Sequence, residues 1–415
     1  MRIEVLCTGD ELLNGTIADT NSPWFMNRLF ELGELVTRTT VVGDDREELV
    51  SSMREVSARA DAVLVSGGLG PTADDLTAEC AAAAAGVPLV EDARALEALR
   101  ARFARRSAEL TANNARQAMV PRGAEVVLNP VGSAPMFILT LGRCTLFFVP
   151  GVPREYQALV EKEVLPRLGA MLGRQGERPV RKLRVLKTVR IWESHLDALV
   201  APIAAKYPRI RVGYRTHAPE NHLKLLAEAP TEVEAERALA AMEEECRAAL
   251  GDHVFGADGD EMAAVVGARL RERGQTLVVA ESATGGMLGH ALTSVAGASD
   301  YFLGGMIAYS EALARGWVKV SPEALEQRGM VSEEIARQMA AGVREATGAT
   351  WALSVTGYAG PTAGTPKDEL GTVYCGLAGP DGAAAVEKSV FLGDRDRIRR
   401  FAAHAAMDLL RRTLR

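Results

Sequence analysis

The chain is 415 residues long, which suits two to four domains. Its 48 lysines and arginines against 54 acidic residues give a net charge of −6, and this mild acidity argues against a dedicated nucleic-acid binder, which normally carries a basic stripe. A hydrophobic content of 47% excludes a largely disordered chain, and no apolar run reaches the roughly 18 residues that a membrane helix needs. Five scattered cysteines without a C-x-x-C pair favour a reduced, cytoplasmic protein.

Strand-like and helix-like segments alternate through the first 170 residues. Asp19, Thr20 and Asn21 offer N-caps for a helix that ends near Leu32. The other predicted elements, in chain order, are strands over 3–7 and 34–42, a helix over 46–59, a strand over 62–65, a helix over 76–85, strands over 125–128, 136–141 and 145–149, and a helix over 154–168. This alternation predicts a doubly wound, mainly parallel α/β sheet with helices on both faces.

A segment that bears glycines and a proline, 169–179, is predicted to be a linker. After it come a strand (182–191), a helix (194–207), two strands (210–214 and 223–227) and a charged helix (231–250) capped by Thr231. This order suits a small α+β module. A second break is predicted at 256–260. We therefore predict three domains, over residues 1–170, 178–255 and 258–415.

The last block opens with a predicted helix over 261–273 and a strand over 276–280, and a further helix is predicted to start at Ser282. Strands over 306–309 and 351–356 follow. The segments 372–377 and 385–391 are predicted to form a β-hairpin around the turn GPDG. Apolar residues at helical spacing predict a closing helix over 394–414.

The run SGGLGPTADDLT, which begins at Ser66, carries the first candidate chemistry, because a buried strand leads there into a glycine-rich turn that opens a helix. Glycines let a backbone approach a ligand closely, and the N–H groups at a helix start favour phosphate. Asp74 and Asp75 conflict with an anion-only site, and a bridging divalent cation would resolve that conflict. The alternative is a plain strand–helix turn in which both aspartates stabilise the helix dipole.

A second loop, TGDELLNG, follows the first predicted strand and has matching chemistry. In open α/β sheets, ligands bind beyond the carboxyl ends of the strands, so Asp10 should meet Asp74 and Asp75 at one edge. Two acidic clusters beside a glycine loop predict metal-assisted work on a pyrophosphate, with Asp10, Asp74 and Asp75 holding Mg²⁺, Mn²⁺ or Co²⁺. Polar turns at Asn113 and Arg116 are candidates to close the site, although a structural role is open for each.

The runs GDELLNG, ADTN, SGGLGPTADDLT, NPVGSAP and PGVPREY resemble the N-terminal half of the CinA (competence/damage-inducible) family, which is similar in turn to the MoaB/MogA-type molybdopterin-binding fold. The resemblance covers essentially the whole chain. It implies a KH-like middle module, a homodimer, and a metal-dependent ADP-ribose pyrophosphatase that yields AMP and ribose 5-phosphate. We therefore predict catalysis by Asp10 and Asp75, and substrate binding by Gly67, Gly68, Gly70, Thr72, Asn113 and Arg116.

Ser282, in the run AESATGG, lies where a strand is predicted to end and a helix to begin. The position suits an N-cap serine; the alternative is a nucleophile whose oxyanion meets the N–H groups of the helix start. The run resembles the nucleophile motif of PncC-type nicotinamide mononucleotide deamidases, and the resemblance continues to the C-terminus. It adds Tyr309 to the predicted catalytic residues, and it implies substrate binding by Thr284, Gly285, Gly286, Thr356, Gly357, Gly360, Arg395 and Arg399. Arginines suit a nucleotide phosphate, but the two arginines could also form a solvated helix face.

One position departs from this resemblance. The family pattern after the tyrosine is Y-S-x-x-x-K, and that lysine activates the serine, whereas Ala314 stands there in this sequence. Arg315 is one residue away, and a guanidinium essentially never deprotonates. Lys319 would need a change of register to serve. We therefore predict a domain that binds nicotinamide mononucleotide but deamidates it slowly or not at all.

Two other functions are open on the sequence alone. A pterin-binding or adenylylating protein of the MoaB/MogA type would hold a pterin phosphate in the same glycine loop, yet only Trp24 and Phe25 could offer stacking surfaces near the first loops. A non-enzymatic DNA-uptake accessory would need a basic stripe, and the sequence shows none. The predicted partners are ADP-ribose and nicotinamide mononucleotide rather than nucleic acid or a membrane.

Overall fold

The computed structural model of the chain describes residues 1–105, 107–173, 180–362 and 369–414, apart from the side chain of Glu31. The chain divides into two compact units. Met1–Leu183 with Glu228–Ala235 make the first unit, and Arg184–Ala227 with Glu236–Arg415 make the second. Within the described ranges, no helix combines the length and the apolar character that a bilayer crossing requires.

The first unit is an α/β sandwich of three layers, as the alternating pattern predicts. Its elements are β1 (Ile3–Thr8), α1 (Asp10–Leu13), α2 (Asn21–Glu31), β2 (Val36–Val42), α3 (Arg46–Arg59), β3 (Ala62–Ser66), α4 (Thr77–Ala85), β4 (Leu89–Glu91), α5 (Ala93–Arg105), α6 (Ala112–Ala115), β5 (Met119–Pro121), β6 (Glu125–Val127), β7 (Met136–Leu141), β8 (Cys144–Val149), α7 (Pro153–Leu159) and α8 (Leu165–Gly173). The main sheet has the order β2–β1–β3–β8–β7–β6, in which the first four strands are parallel and the last two antiparallel.

Strands β1 and β3 are buried along their whole length because helices cover both faces of the sheet. Val5 packs with Phe25 of α2 on one face, and Leu6 packs with Met53 of α3 on the other. Helix α3 begins where Asp45 accepts hydrogen bonds from the amides of the next two acidic residues, both at 2.9 Å. Because β1, β2 and β3 are parallel, their carboxyl ends meet along one edge of the sheet.

Two further sheets follow. The elements from Val180 onward are β9 (Val180–Thr188), α9 (Glu193–Ala204), β10 (Ile210–His217), β11 (Glu220–Ala229), α10 (Glu232–Leu250), β12 (Val254–Ala257), α11 (Met262–Glu272), β13 (Leu277–Glu281), α12 (Met287–Thr293), β14 (Phe302–Ile307), α13 (Glu311–Val318), α14 (Pro322–Arg328), α15 (Glu333–Thr347), β15 (Trp351–Gly357), β16 (Thr372–Ala378), β17 (Ala384–Val390) and α16 (Arg395–Thr413). The four-stranded sheet has the order β10–β11–β9–β12, and the five-stranded sheet has the order β14–β13–β15–β16–β17. The hairpin of β16 and β17 confirms its prediction.

Three predicted segments differ in their bounds from the structure. The predicted linker begins inside α8, which continues to Gly173 because Leu165 and Leu168 are buried; positions 174–179 lie outside the described residues. The predicted break at 256–260 overlaps β12, which pairs with β9. Helix α12 starts at Met287, five residues after the predicted start at Ser282. The prediction also lacked α5, although its buried Leu96 and Leu99 recur at helical spacing.

Candidate functional sites

A cavity of about 450 Å³ opens beside the carboxyl ends of β1 and β3. This volume lies within the roughly 300–1,000 Å³ range of ordinary ligand sites. The described residues that line it include no lysine and no arginine. They include six carboxylates, from Glu11, Asp19, Asp44, Asp74, Asp75 and Glu155. The cavity is therefore strongly negative.

Asp10 does not line this cavity, but it is hydrogen-bonded to Asp44, which does. The amide of Asp10 donates to the carboxylate of Asp44, and the amide of Asp44 donates back to the carboxylate of Asp10, both at 3.1 Å. Burial raises the pKa of Asp44, and the negative charges of Asp10, Glu11 and Asp74 add to that rise. Asp10, a predicted metal ligand, does not line the cavity, whereas Glu11 and Asp44 do.

Asp75 closes the glycine turn. Its carboxylate accepts hydrogen bonds from the amides of Gly70 at 2.7 Å and Thr72 at 2.8 Å, and from the Thr72 hydroxyl at 2.6 Å. Both carboxylate oxygens are thus engaged within the turn. This corrects the prediction of Asp75 as a metal ligand and of Thr72 as a substrate contact, because both side chains hold the turn in shape.

The glycines of the turn are required for close backbone packing. Gly67 has φ +107°, and a Cβ atom there would lie 2.5 Å from the carbonyl oxygen of Thr8. Gly68 has φ +65°, and its Cβ would collide with the Thr77 hydroxyl. The Gly67 amide donates to the carbonyl of Val149, and the Gly70 amide donates to Asp75. Two of the three amides predicted to cradle pyrophosphate are therefore engaged elsewhere.

Of the two remaining residues predicted to bind substrate in the first unit, one lines a cavity and the other does not. Arg116 lines a smaller cavity of about 180 Å³ that shares Gly68, Gly70, Asp75 and Gln117 with the larger one. Asn113 is exposed on α6 and lines neither cavity, so the structure does not bring it to the site.

Two buried amides line the larger cavity: Gln117 belongs to the polar turn predicted to close the site, whereas Asn21 was expected only as a helix N-cap. Asn21, 9% exposed, and Gln117, 7% exposed, both line it. The Oδ1 atom of Asn21 and the Oε1 atom of Gln117 have no hydrogen-bond partner in the described part of the chain. The Nδ2 atom of Asn21 donates to the carbonyl of Gly151 at 2.7 Å, which fixes the orientation of that amide.

Glu281 and Ser282 open the candidate site of the second unit. Ser282 follows the last residue of β13, and its amide donates to the carbonyl of Val355 in β15 at 2.9 Å. Gly285 at φ +57° and Gly286 at φ +96° then turn the chain toward α12. Ser282 therefore belongs to a strand end and a turn, and it is not the N-cap of a helix.

A buried carboxylate occupies the start of α12. Glu281 is 2% exposed, and it accepts hydrogen bonds from the amides of Gly286 at 2.9 Å, Leu288 at 3.1 Å and Gly289 at 2.8 Å. The Gly285 amide donates to the carbonyl of Ser282. The amides of Gly285 and Gly286 are therefore engaged within the chain, and the prediction that helix-start amides receive an oxyanion stays a prediction. Sequence reasoning missed this role of Glu281 because it placed the helix start at Ser282.

Two arginines of α16 join the turn to the neighbouring loops. Arg395 donates to the carbonyl of Gly360 at 2.7 Å and to the hydroxyl of Tyr309 at 2.9 Å. Arg399 donates twice to the carbonyl of Thr284, at 3.2 and 2.7 Å. Arg395 thus joins two of the predicted residues, and Arg399 is bonded to Thr284, two residues after Ser282. This geometry excludes the alternative of a merely solvated helix face.

Two other predicted contacts of the second unit lie elsewhere. Thr356 is fully buried, and its hydroxyl donates to the carbonyl of Met330 at 2.7 Å. A Cβ atom at Gly357 would lie 2.8 Å from the carbonyl oxygen of Thr372 in the paired strand. Both residues serve strand packing.

Position 314, where the resemblance places a lysine, is at the inner face of α13. Ala314 is fully buried in an apolar cluster that includes Ala280 and Ala308, the residues just before Glu281 and Tyr309. Lys319 ends the same helix with φ +54°, and its ammonium pairs with Glu345 at 2.9 Å on the surface. Lys319 is therefore not available to Ser282.

Three family models match the chain in sequence order. They are a probable molybdopterin binding domain over residues 4–170, the damage-inducible protein CinA KH domain over 183–256, and the CinA C-terminal domain over 259–414. A CinA-like protein of Myxococcus xanthus (strain DK1622) is 54% identical over 414 residues, which cover 100% of this chain and 98% of the relative. The chain belongs to the CinA family.

A further relative matches the whole chain, and a solved structure matches part of it. A CinA-like protein of Citrifermentans bemidjiense is 42% identical across 100% of this chain and 98% of its own. Among solved structures, a CinA protein of unknown function from Thermoplasma acidophilum is 34% identical and covers 40% of this chain and 96% of its own, with a TM-score of 0.38. The family models and the two CinA-like relatives confirm the family resemblance seen in the sequence motifs.

Proposed function

We propose that the first unit hydrolyses ADP-ribose to AMP and ribose 5-phosphate with the help of a divalent cation. The observation that carries the proposal is the cavity with six carboxylates and no cationic side chain among its described lining residues. A pyrophosphate entering alone would meet like charges, and a single pair at 4 Å costs about 4 kcal/mol at an effective dielectric constant near 20. A phosphate ligand therefore needs a counter-ion that the chain does not supply.

The residues present fit such an ion. Glu11, Asp44 and Asp74 offer hard oxygen donors, which suit Mg²⁺ or Mn²⁺. In the described ranges, no three histidine, cysteine, aspartate or glutamate side chains are grouped to hold a metal alone. This agrees with a site that substrate phosphate oxygens and water complete, as is usual for Mg²⁺. When bound, the ion would supply Lewis-acid polarisation and counter-charge.

The chain's own residues would do the remaining work. Burial and neighbouring carboxylates raise the pKa of Asp44 in the metal-free site, and a bound cation would keep this carboxylate ionised as a ligand. Asp75 keeps the glycine turn closed, and the unpaired Oδ1 of Asn21 is available to a ligand N–H.

A pterin finds less support. Trp24 packs edge-on against Tyr156, and Phe25 is fully buried. The described lining of the cavity includes no aromatic ring, so the stacking that would favour a pterin is not offered by these residues.

The test is to incubate the full-length protein with ADP-ribose and to separate the products by chromatography, with Mg²⁺ or Mn²⁺ and with excess EDTA. We expect AMP and ribose 5-phosphate only with the metal. Tight pterin binding by fluorescence, without any ADP-ribose turnover, would favour the alternative.

For the second unit we propose binding of nicotinamide mononucleotide and, at a low rate, its deamidation to nicotinate mononucleotide and ammonia. The hydrogen bonds that join Tyr309 and Gly360 to Arg395, and Thr284 to Arg399, support this proposal. Ser282 Oγ would attack the amide carbon, the C–N bond would break to release ammonia, and water would hydrolyse the acyl-serine. A serine hydroxyl needs an adjacent base, and the methyl group of Ala314 offers none.

Its test is calorimetric titration with nicotinamide mononucleotide, together with an assay of ammonia release by wild type and Ser282→Ala. We expect binding by both proteins and slow release by wild type alone. Brisk release by wild type would show that another group serves as the base, and equal release by both proteins would remove Ser282 from the reaction.

A further inference from the structure

A buried carboxylate of the middle module holds the helix that carries the site arginines. Glu220 begins β11, and its two oxygens accept separate hydrogen bonds. His222 contacts one oxygen at 2.8 Å, and His404 of α16 contacts the other at 3.3 Å. The side chains are largely buried: Glu220 is 13% exposed, His222 11% and His404 12%. None of them belongs to the site at Ser282.

Glu220 stays ionised in this place. Burial by itself would favour the neutral acid, but the hydrogen bonds from His222 and His404 and the nearby charge of Lys187 lower the pKa of Glu220 to about 2. The ring of His404 also packs edge-on against Phe255, with the centroids 5.8 Å apart. The contact is therefore a directional hydrogen bond of a charged group, supported by packing.

Two more contacts tie the same helix to the same module. Asp408, 1% exposed, accepts a hydrogen bond from Arg190 at 2.8 Å. Arg411 donates to the carbonyl of Asp252 at 2.6 Å. Apolar contacts continue the attachment, because Val189 belongs to the same buried cluster as Ile398 of α16. The middle module thus holds α16 along its C-terminal half.

The N-terminal end of α16 lies at the candidate site. Arg399 is five residues before His404, about 7.5 Å along the axis at 1.5 Å per residue. Backbone hydrogen bonds join each turn of α16 to the next, so we expect a change at His404 to reach the guanidinium groups of Arg395 and Arg399. We propose that Glu220 is a positioning residue, which sets the place of Arg395 and Arg399 by fixing His404. This rests on the proposed nucleotide binding by the second unit.

The experiment measures ligand affinity in full-length variants. Glu220→Ala and His404→Leu each break the contact, Glu220→Gln keeps an acceptor for one histidine, and Glu245→Ala is the control, because Glu245 pairs with Lys206 on the surface. For nicotinamide mononucleotide, we expect about tenfold weaker binding in each breaking variant and no further loss in the double variant. Glu220→Gln should recover most of the affinity, and the control should match wild type.

A second ligand separates positioning from general loosening. Nicotinamide riboside lacks the phosphate that Arg395 and Arg399 would contact, so its affinity should change less than twofold in the same variants. Equal losses for both ligands, or unchanged binding of the mononucleotide, would overturn the proposal.

Amide hydrogen exchange distinguishes this proposal from the proposed function. If wild type fails to bind the mononucleotide, the proposed function of the second unit fails, but exchange in residues 395–401 still reports on α16. We expect faster exchange there in Glu220→Ala and His404→Leu and wild-type exchange in Glu245→Ala. Unchanged exchange in both breaking variants would overturn the positioning role itself.

Discussion

Both candidate sites follow a buried parallel strand with a glycine turn, yet the charges around the two turns are opposite. Six carboxylates line the cavity of the first unit, and its described lining holds no cation. In the second unit, Arg399 donates to the carbonyl of Thr284 in the turn that follows Ser282, and Arg395 donates to the hydroxyl of Tyr309. The cation that we propose for the first site would come from solution, whereas the second site has two arginines of its own.

The turns nevertheless share one device. Asp75 accepts the amide protons of the first turn, and Glu281 accepts those at the start of α12. In each case, a carboxylate of the chain takes the amides that a glycine turn and helix start would otherwise offer to an anionic ligand. A glycine turn before a helix is therefore not sufficient evidence of a phosphate site, because a carboxylate nearby in sequence can accept the hydrogen bonds of its amides.

The largest expected effect concerns the base that the second site lacks. Ala314→Lys should raise ammonia release from nicotinamide mononucleotide by about 10² or more, since loss of a general base typically costs 10² to 10⁴ in rate. Ala314→Met is the matched control, because it brings similar length into the buried cluster without an amine. Equal rates in the two variants would show that an amine at position 314 is not what limits the reaction.

Asp75 should matter for turnover without setting the metal requirement. Asp75→Ala removes three hydrogen bonds within the glycine turn, and ADP-ribose hydrolysis should fall at least about tenfold, or ~1.4 kcal/mol of barrier. The Mn²⁺ concentration for half-maximal activity should stay as in wild type. In the comparison variant, Asp74→Ala, the Mn²⁺ concentration for half-maximal activity should rise. If the Mn²⁺ concentration for half-maximal activity also rose in Asp75→Ala, Asp75 would be a metal ligand.

Glu281 should be a stability residue. Glu281→Gln places an amide N–H₂ group among three backbone donors, so at least one buried donor loses its partner, at a cost of about 1–3 kcal/mol. Denaturant unfolding measures this loss. Glu345→Gln, which removes only the surface pair with Lys319, should cost less than about 1 kcal/mol. Similar losses in both variants would contradict the assignment.

The smallest effect is a dependence on pH. The pKa of Glu220 is lowered from 4.5 to about 2 in the folded protein, so its stabilising effect is present above pH 4.5 and is lost as the pH falls toward 2. The difference in melting temperature between wild type and Glu220→Gln should therefore be largest above pH 5 and shrink between pH 4.5 and 2.5. A difference that grows on acidification would have the wrong sign.

Much of the fold could be predicted because its strands and helices are locally encoded. Helix α3 has an acidic cap and matches its predicted bounds, and the apolar run at β3 is buried as predicted. Helix α8 could not be bounded, since buried Leu165 and Leu168 outweigh two exposed glycines. Tertiary packing decided that boundary.

The candidate sites were predictable in part. The rule that ligands bind at the carboxyl ends of strands located Asp10 and Asp74, and the same rule applied to β2 would have found Asp44. The hydrogen bonds that engage Asp75 and Glu281 could not be derived, because they depend on the path of each turn. The polar turn at Arg116 and Gln117 was predicted to close the site, and Gln117 lines the cavity, whereas Asn21 was expected only as a helix N-cap.

We propose that the acidic cavity of the first unit works on ADP-ribose through a cation held by its own carboxylates. The most direct test is a Mn²⁺ titration of ADP-ribose turnover in wild type, Asp44→Asn and Glu161→Gln, the last being a control whose side chain pairs with Arg28 away from the cavity. We expect no turnover in EDTA, wild-type behaviour in the control, and at least a tenfold higher Mn²⁺ requirement or a tenfold lower rate in Asp44→Asn. Full turnover in excess EDTA, or an Asp44→Asn curve that superposes on wild type, would contradict the account.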